Sequence, residues 1–291
     1  MAVGKEILTR IRSVQNTQKI TKAMQMVSTS KMRKTQERMR QARPYADKIR
    51  LVMSHLAQTH STHNVPLLRS NNDSKRVGFI VITTDKGLCG GLNANILKAF
   101  FHKVQECEQN GLDAEIVCLG GKGLAACNRV GLNVIASAVG LGDTPKVATL
   151  LGPLTEIFQR YAEGKLDAIY LVYAGFINTM RQEARLETLL PIGQNVLDEV
   201  SESKEFGWEY VYEPSPQQVL EFLVRRYLES VVYQALSENM AAEQAARMVA
   251  MKAATDNASN AIKELRLMYN KSRQAAITTE LSEIVAGAAA V

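Results

Sequence analysis

Proline and glycine are scarce where a chain of ordinary domains would use them. The sequence holds 7 Pro in 291 residues, and neither Pro nor Gly interrupts Lys5 to Arg43 or Gln217 to Ala286. Without helix breakers these stretches exclude a chopped, loop-rich fold at either end. Cysteine is also sparse: Cys89, Cys107, Cys118 and Cys127 show no CxxC spacing. That excludes a disulfide framework and a thiolate zinc site, and it leaves free thiols in a reducing compartment. No run approaches the roughly 20 apolar residues of a spanning helix, so integral membrane insertion is excluded as well. The opening residues, MAVGKEILTRIRSVQ, lack the apolar core of a signal peptide and are read as part of the mature first helix.

What is present is ordinary in amount and uneven in place. Hydrophobic residues make up 46% and charged residues 22%, close to globular averages, so composition excludes a disordered or collagen-like chain. The formal net charge is +6. Residues 1–50 carry 13 Lys/Arg against 3 Asp/Glu, whereas residues 214–291 carry 8 of each. One terminal segment is therefore basic, and it calls for an acidic partner.

The uninterrupted ends read as two long helices. Residues 217–286, rich in Ala, Leu, Glu, Met and Gln, would run for about 105 Å at 1.5 Å per residue. Such a helix needs another long surface to lie on. At the other end Met32, Thr35, Met39, Ala42, Ala46, Ile49, Met53 and Leu56 alternate steps of three and four, a heptad seam. Pro44 sits inside this seam without shifting its register, which predicts a kink and not a stop. Leu228, Val232, Ala235, Asn239, Ala242, Ala246, Val249 and Ala253 follow the same steps. Because a globular middle separates the two ends, they are expected to pair as an antiparallel coiled coil.

The middle reads as α/β. Short apolar runs at 77–83, 115–119, 133–138 and 168–174 alternate with stretches suited to helices near 93–108, 122–130 and 147–163. That alternation predicts a Rossmann-like, mostly parallel sheet with crossover helices, and Phe176 to Leu190 adds edge strands. Residues 57–76 are polar and predict a flexible connector. The segments are 1–57 for the first helix, 58–76 for the connector, 77–213 for the α/β domain and 214–291 for the second helix.

Candidate chemistry is thin. TTDKGLCGGLN (Thr83 to Asn93) follows a strand and opens a helix, where backbone amides could meet an anion. Gly91 is followed by Leu92 and Asn93, so no P-loop is present. Gly121-Lys122-Gly123-Leu124-Ala125-Ala126, with Asp143 twenty residues beyond Gly123, matches a weak dinucleotide fingerprint. Both clusters also suit tight βα turns, for which glycine gives the backbone freedom. His55, His60, His63 and His102 offer no metal set, and no carboxylate pair or activated nucleophile emerges. No catalytic, cofactor or metal residue is assigned. Two rivals remain: a dinucleotide enzyme built on Gly121 and Gly123, and a nucleic-acid adaptor built on Lys31, Arg33, Lys34, Arg38, Arg40 and Arg43. The second lacks a recognition motif and interleaved aromatics.

The terminal helices carry longer motifs. SVQNTQKITKAMQMVSTSKMRK (Ser13 to Lys34), ENMAAEQAARMVAMKAATDNA (Glu238 to Ala258) and YNKSRQAAITTELSEIVAGAAA (Tyr269 to Ala290), together with TTDKGLCGGLN, resemble the gamma subunit of the F-type ATP synthase in its bacterial form. The resemblance runs from end to end. It implies a non-catalytic rotor, one copy per complex, whose paired helices turn inside three alpha and three beta subunits. The α/β domain then rests on the membrane c-ring beside the epsilon subunit, and the chain couples proton flow to ATP synthesis.

Residue roles follow from the same motifs. Met24, with Lys22 and Lys31 beside it, corresponds to the family's contact with an acidic loop of beta. Arg247 corresponds to a coupling arginine. Arg273 and Gln274, with Thr278 and Glu280 adjoining, correspond to the pair bonding a beta catch loop. Ile284 to Val291, including Val285 and Ala288, correspond to the apolar tip in the hexamer bearing. Tyr210, Tyr212 and Glu213 are expected at the foot, against the c-ring or epsilon. No Cys follows Cys127, so a plastid-type regulatory dithiol is not expected. The resemblance places the chain at the cytoplasmic face of a bacterial plasma (inner) membrane, peripherally, with no cofactor, no metal and no nucleic acid.

Overall fold

The computed structural model describes residues 2–59, 65–71, 74–192, 213 and 215–289. Helix α1 spans Ala2–Thr59 and continues helically through Pro44. Strand β1 (Arg76–Ile82), α2 (Leu92–Gln109), β2 (Asp113–Leu119), α3 (Gly121–Val130), β3 (Val134–Ala138) and α4 (Val147–Ala162) follow in strict alternation. Then come β4 (Ala168–Phe176), β5 (Gln182–Leu190) and a 74-residue helix, α5 (Pro216–Ala289). Pro216 takes the first position of α5, where its missing N–H costs nothing, and Ser215 Oγ accepts the N–H of Gln218.

The sheet has the order β3-β2-β1-β4-β5. β1 pairs in parallel with both β2 and β4, and β2 with β3. β5 pairs antiparallel with β4, as one edge strand where the sequence suggested several. Burial on both faces explains the apolar runs. One face packs Ile80, Ile82, Val117, Leu119 and Leu171 against α4 and the first turns of α5. The other packs Phe79, Val81, Ile116 and Cys118 against α2 and α3.

The chain divides into two compact units, residues 30–246 and the paired ends 1–29 with 247–291. Part of the stretch expected to be a flexible connector belongs to the core of the larger unit. Val65 and Leu67, flanking and inside a 3-10 turn at Pro66–Leu68, are buried with the α4 side chains. Asn71 donates its amide to the carbonyls of Tyr161 and Leu166, at 2.9 and 3.0 Å. The run Val65 to Leu68 is apolar, and burying it outweighs the polarity of its neighbours. His60 and His63 lie outside the described residues.

Candidate functional site

In the smaller unit two helical segments pair, and their seam is polar where sequence periodicity had found little. Gln18 donates its amide to Ser259 Oγ at 2.7 Å, and the hydroxyls of Thr21 and Thr255 meet at 2.7 Å. Partners fall in number on one helix as they rise on the other, so the pairing is antiparallel, as expected. Ile11, Thr21 and Ser28 from α1, and Met251, Ala258 and Ile262 from α5, are buried along it. The expected seam through Val249 and Ala253 is corrected here: Ala253 is exposed and Val249 half-buried. Residues 241–250 are so rich in alanine that two registers fit equally well by composition. Ala242, in the larger unit, packs with the sheet cluster, and within the smaller unit the inward face of α5 passes through Met251 and Ala258.

The outer faces of this pair carry exposed apolar side chains among charged ones. Ile20, Met26 and Val27 on α1, and Leu267, Ile277, Leu281, Ile284 and Val285 on α5, stand exposed. Carried back along the Thr21 and Thr255 register at equal rise, Ala2 comes opposite roughly residue 274. Among the described residues the α5 segment beyond, roughly 15 residues or 20 Å, faces no α1 segment. Ile284 and Val285 are each 67% exposed there. A helix whose apolar side is open to water on this scale marks a surface that another chain covers.

The sequence-derived contact residues fall into three groups. Lys22, Arg273, Gln274, Thr278, Glu280, Ile284, Val285 and Ala288 are exposed, and Met24 is half-buried. Arg247 is buried, at 9% exposure, and its side chain has partners within the chain. Lys31 belongs to the larger unit, where its Nζ meets the Asp143 carboxylate at 2.7 Å. Glu213 is exposed, whereas Tyr210 and Tyr212 lie outside the described residues.

Both glycine clusters build βα turns, and in the second the amides at the start of the helix already have partners. At the start of α3, Thr83 Oγ1 accepts the N–H of Gly123 at 2.8 Å and the Thr84 carbonyl accepts that of Lys122 at 3.0 Å. Asp85 accepts the N–H of Gly121 at 2.9 Å and of Leu141 at 3.0 Å. A carboxylate of the chain thus occupies the place where a dinucleotide's pyrophosphate would bind a helix N-terminus. Gly120 has φ +113, and a Cβ there would lie 2.2 Å from the Thr83 carbonyl oxygen. Glycine is required for that approach.

Two further residues make contacts that the sequence does not predict. Asn239, buried on α5, accepts the N–H of Ala174 at 3.1 Å, just past the last β1–β4 pair at Val81 and Val172. An amide at a seam position otherwise filled by small and apolar side chains was the available signal. Asp143 was read as a fingerprint carboxylate, yet it binds Lys31 and takes a hydrogen bond from Arg38 on its carbonyl. All four cysteines are buried thiols. Cys118 and Cys127 touch at 3.7 Å, and that contact together with burial holds the Cys118 thiol far above its ordinary range. Among the described residues no group of His, Cys, Asp and Glu could hold a metal, and no helix is long and apolar enough to cross a membrane.

Comparison with known proteins agrees with this arrangement. A family described as ATP synthase matches residues 4–291. The ATP synthase gamma chain of Neisseria meningitidis serogroup A is 75% identical over 291 residues, covering all of both chains. That of Chromobacterium violaceum is 67% identical over 292 residues, again covering both chains completely. Among solved structures, a chain of the Euglena gracilis mitochondrial ATP synthase (OSCP/F1/c-ring) has a TM-score of 0.69 at 19% identity, over 99% of this chain and 94% of that one. A chain of the Tetrahymena thermophila mitochondrial ATP synthase central stalk and c-ring has a TM-score of 0.59 at 26% identity, over 81% of this chain and 99% of that one. With its antiparallel helix pair, its filled glycine turn before α3 and full-length identity of this order, the chain belongs to the ATP synthase gamma chain family.

Proposed function

We infer that the chain is the central-stalk rotor of an ATP synthase and is not itself catalytic. It couples rotation of the proton-driven c-ring to conformational change at the catalytic sites of three beta subunits, which alternate with three alpha subunits. The observation that carries this reading is the unpaired, outward-facing apolar end of α5, with Ile284 and Val285 open to water. Such a surface suits an apolar sleeve on which it can turn without directional bonds. A rotor face does work only by binding one beta conformation better than another.

Arg273, Gln274, Thr278 and Glu280, exposed on α5, are assigned to a beta loop, and Lys22 and Met24 to its acidic segment. Because Arg247 is buried, its contribution to coupling runs through the helix pair and not through direct contact. Lys31 reaches an acidic beta loop only by leaving Asp143, an exchange of one exposed ion pair for another at little cost. Glu213, with Tyr210 and Tyr212, is assigned to the foot against the c-ring or epsilon. The complex would sit on the cytoplasmic face of a bacterial inner membrane, with this chain attached peripherally.

Reconstitution with alpha and beta subunits tests the reading. Addition of the chain should raise steady ATPase activity, and Arg273→Ala with Gln274→Ala should lower it while assembly persists. Equal activity of the alpha and beta mixture with and without the chain would sink the assignment.

A further inference from the structure

Between α1, the loop after β3 and α5 lies a cavity of about 360 Å³, within the usual range of small-ligand sites. Lys31, Lys34 and Arg38 line it from α1, at the three- and four-residue spacing that stacks side chains on one helix face. Among the described residues Asp143 supplies the one carboxylate of the wall, and together these side chains carry an excess of two positive charges. Asp143 engages Lys31 and Arg38, but Lys34 bonds no acceptor among the described residues.

The opposite wall carries the second observation. Gln244 of α5 lines the cavity, is only 6% exposed, and its side-chain amide has no hydrogen-bond partner among the described residues. Its amide is not sealed from water, unlike Asn239 Nδ2, so it stays hydrated, and an acceptor in the cavity would take the place of that water. Met240 and Thr35, both largely buried, complete a less polar floor that strengthens charge interactions above it.

We propose that this cavity binds a small multivalent oxyanion, a phosphate or phosphate ester. Lys34 and Arg38 contribute charge-assisted hydrogen bonds from α1, and the Gln244 amide donates from α5. Tetrahedral oxygens can accept from these separate directions at once, whereas a single partner carboxylate presents its two oxygens in one plane. A bound anion would bridge α1 to α5 and brace them against each other. The site is independent of the rotor assignment.

Equilibrium dialysis of the full chain against labelled pyrophosphate and orthophosphate, at constant chloride ionic strength, tests it. Saturable binding to a single site below about 1 mM is expected. Lys34→Gln and Gln244→Leu should each weaken it about tenfold or more, while Lys98→Gln, removing an exposed charge on α2, leaves it unchanged. Pyrophosphate should raise the Tm of the wild type and not that of Lys34→Gln. Lys34 is exposed, so its variant folds whatever Gln244→Leu does. The proposal fails if no saturable binding occurs, if Lys98→Gln weakens binding equally, or if both cavity variants bind as the wild type. Stronger competition by a polyglutamate peptide than by orthophosphate would also overturn it in favour of an acidic protein segment.

Discussion

The side-chain oxygen of Asn239 accepts the backbone N–H of Ala174 at 3.1 Å, tying α5 to the sheet where β4 outruns β1. Asn239 Nδ2 is buried without a partner, so its position is maintained by one bond and by packing. Asn239→Leu leaves the Ala174 N–H unpaired in the core and is expected to cost about 1–3 kcal/mol. Urea unfolding of the variant measures it, and unchanged stability would show that the bond contributes nothing.

Asp85 organises the turn before α3 through the amides of Gly121 and Leu141. Asp85→Ala removes both acceptors at once and should destabilise by roughly 3–6 kcal/mol, two charge-assisted bonds at the usual magnitude. Hydrogen exchange at Gly121 and Leu141 should accelerate more than at the β1 core. Uniform acceleration would assign the carboxylate no local role.

Gly120→Ala combines a left-handed backbone with a Cβ driven into the Thr83 carbonyl. The expected cost is roughly 3 kcal/mol or more, from backbone strain and overpacking together. Loss of soluble expression or a large drop in Tm is the readout; a near-native Tm contradicts the geometry.

Thr21 and Thr255 face each other in the seam, each within reach of a carbonyl of its own helix, Gln18 and Met251; with two protons for three contacts, one hydroxyl donates across the seam and the other to its own carbonyl. A single Thr21→Val breaks the cross-helix bond and should cost about 1 kcal/mol. The double variant with Thr255→Val replaces both hydroxyls with methyls of matching shape, and it should recover most of that loss. A double-mutant cycle by thermal unfolding decides, and simple additivity would rule the bond out as a coupled pair.

Tyr161 donates to the Arg69 carbonyl at 2.7 Å. Burial first, and then the nearby Asp167 charge, push its pKa up from 10.0 to about 12. The unfolded chain therefore releases this proton before the folded one does. The associated stability is complete below about pH 10 and is lost as pH rises towards about pH 12. Burial of Tyr173 acts in the same direction. Alkaline unfolding should begin later on the pH scale and be less steep in Tyr161→Phe, and identical profiles would refute the assignment.

Much of the fold was legible in advance because two of its periods are strong. Absence of Gly and Pro exposed α5 almost to the residue, and branched apolar runs located β1 to β4 within one or two positions. The C-terminal seam was less legible. Ala241, Ala242, Ala245 and Ala246 leave the apolar stripe of these turns small and poorly marked, and only packing against the sheet fixes it. Val65 to Leu68 was misjudged for a similar reason: a short apolar run in a polar stretch is buried only if a neighbour supplies a surface, and α4 does.

By itself the sequence determined two long helices, their antiparallel pairing around an α/β centre, and the motifs that mark the family. These depend on local propensity, on period and on long matching strings, all readable along one dimension. Tertiary structure alone decided that Asp85 fills the glycine turn, that Lys31 turns to Asp143, that Arg247 is enclosed, and that Gln244 faces a basic cavity with no partner. Each joins residues far apart in the chain, and hydrogen-bond geometry and burial exist only once those residues share a place in space.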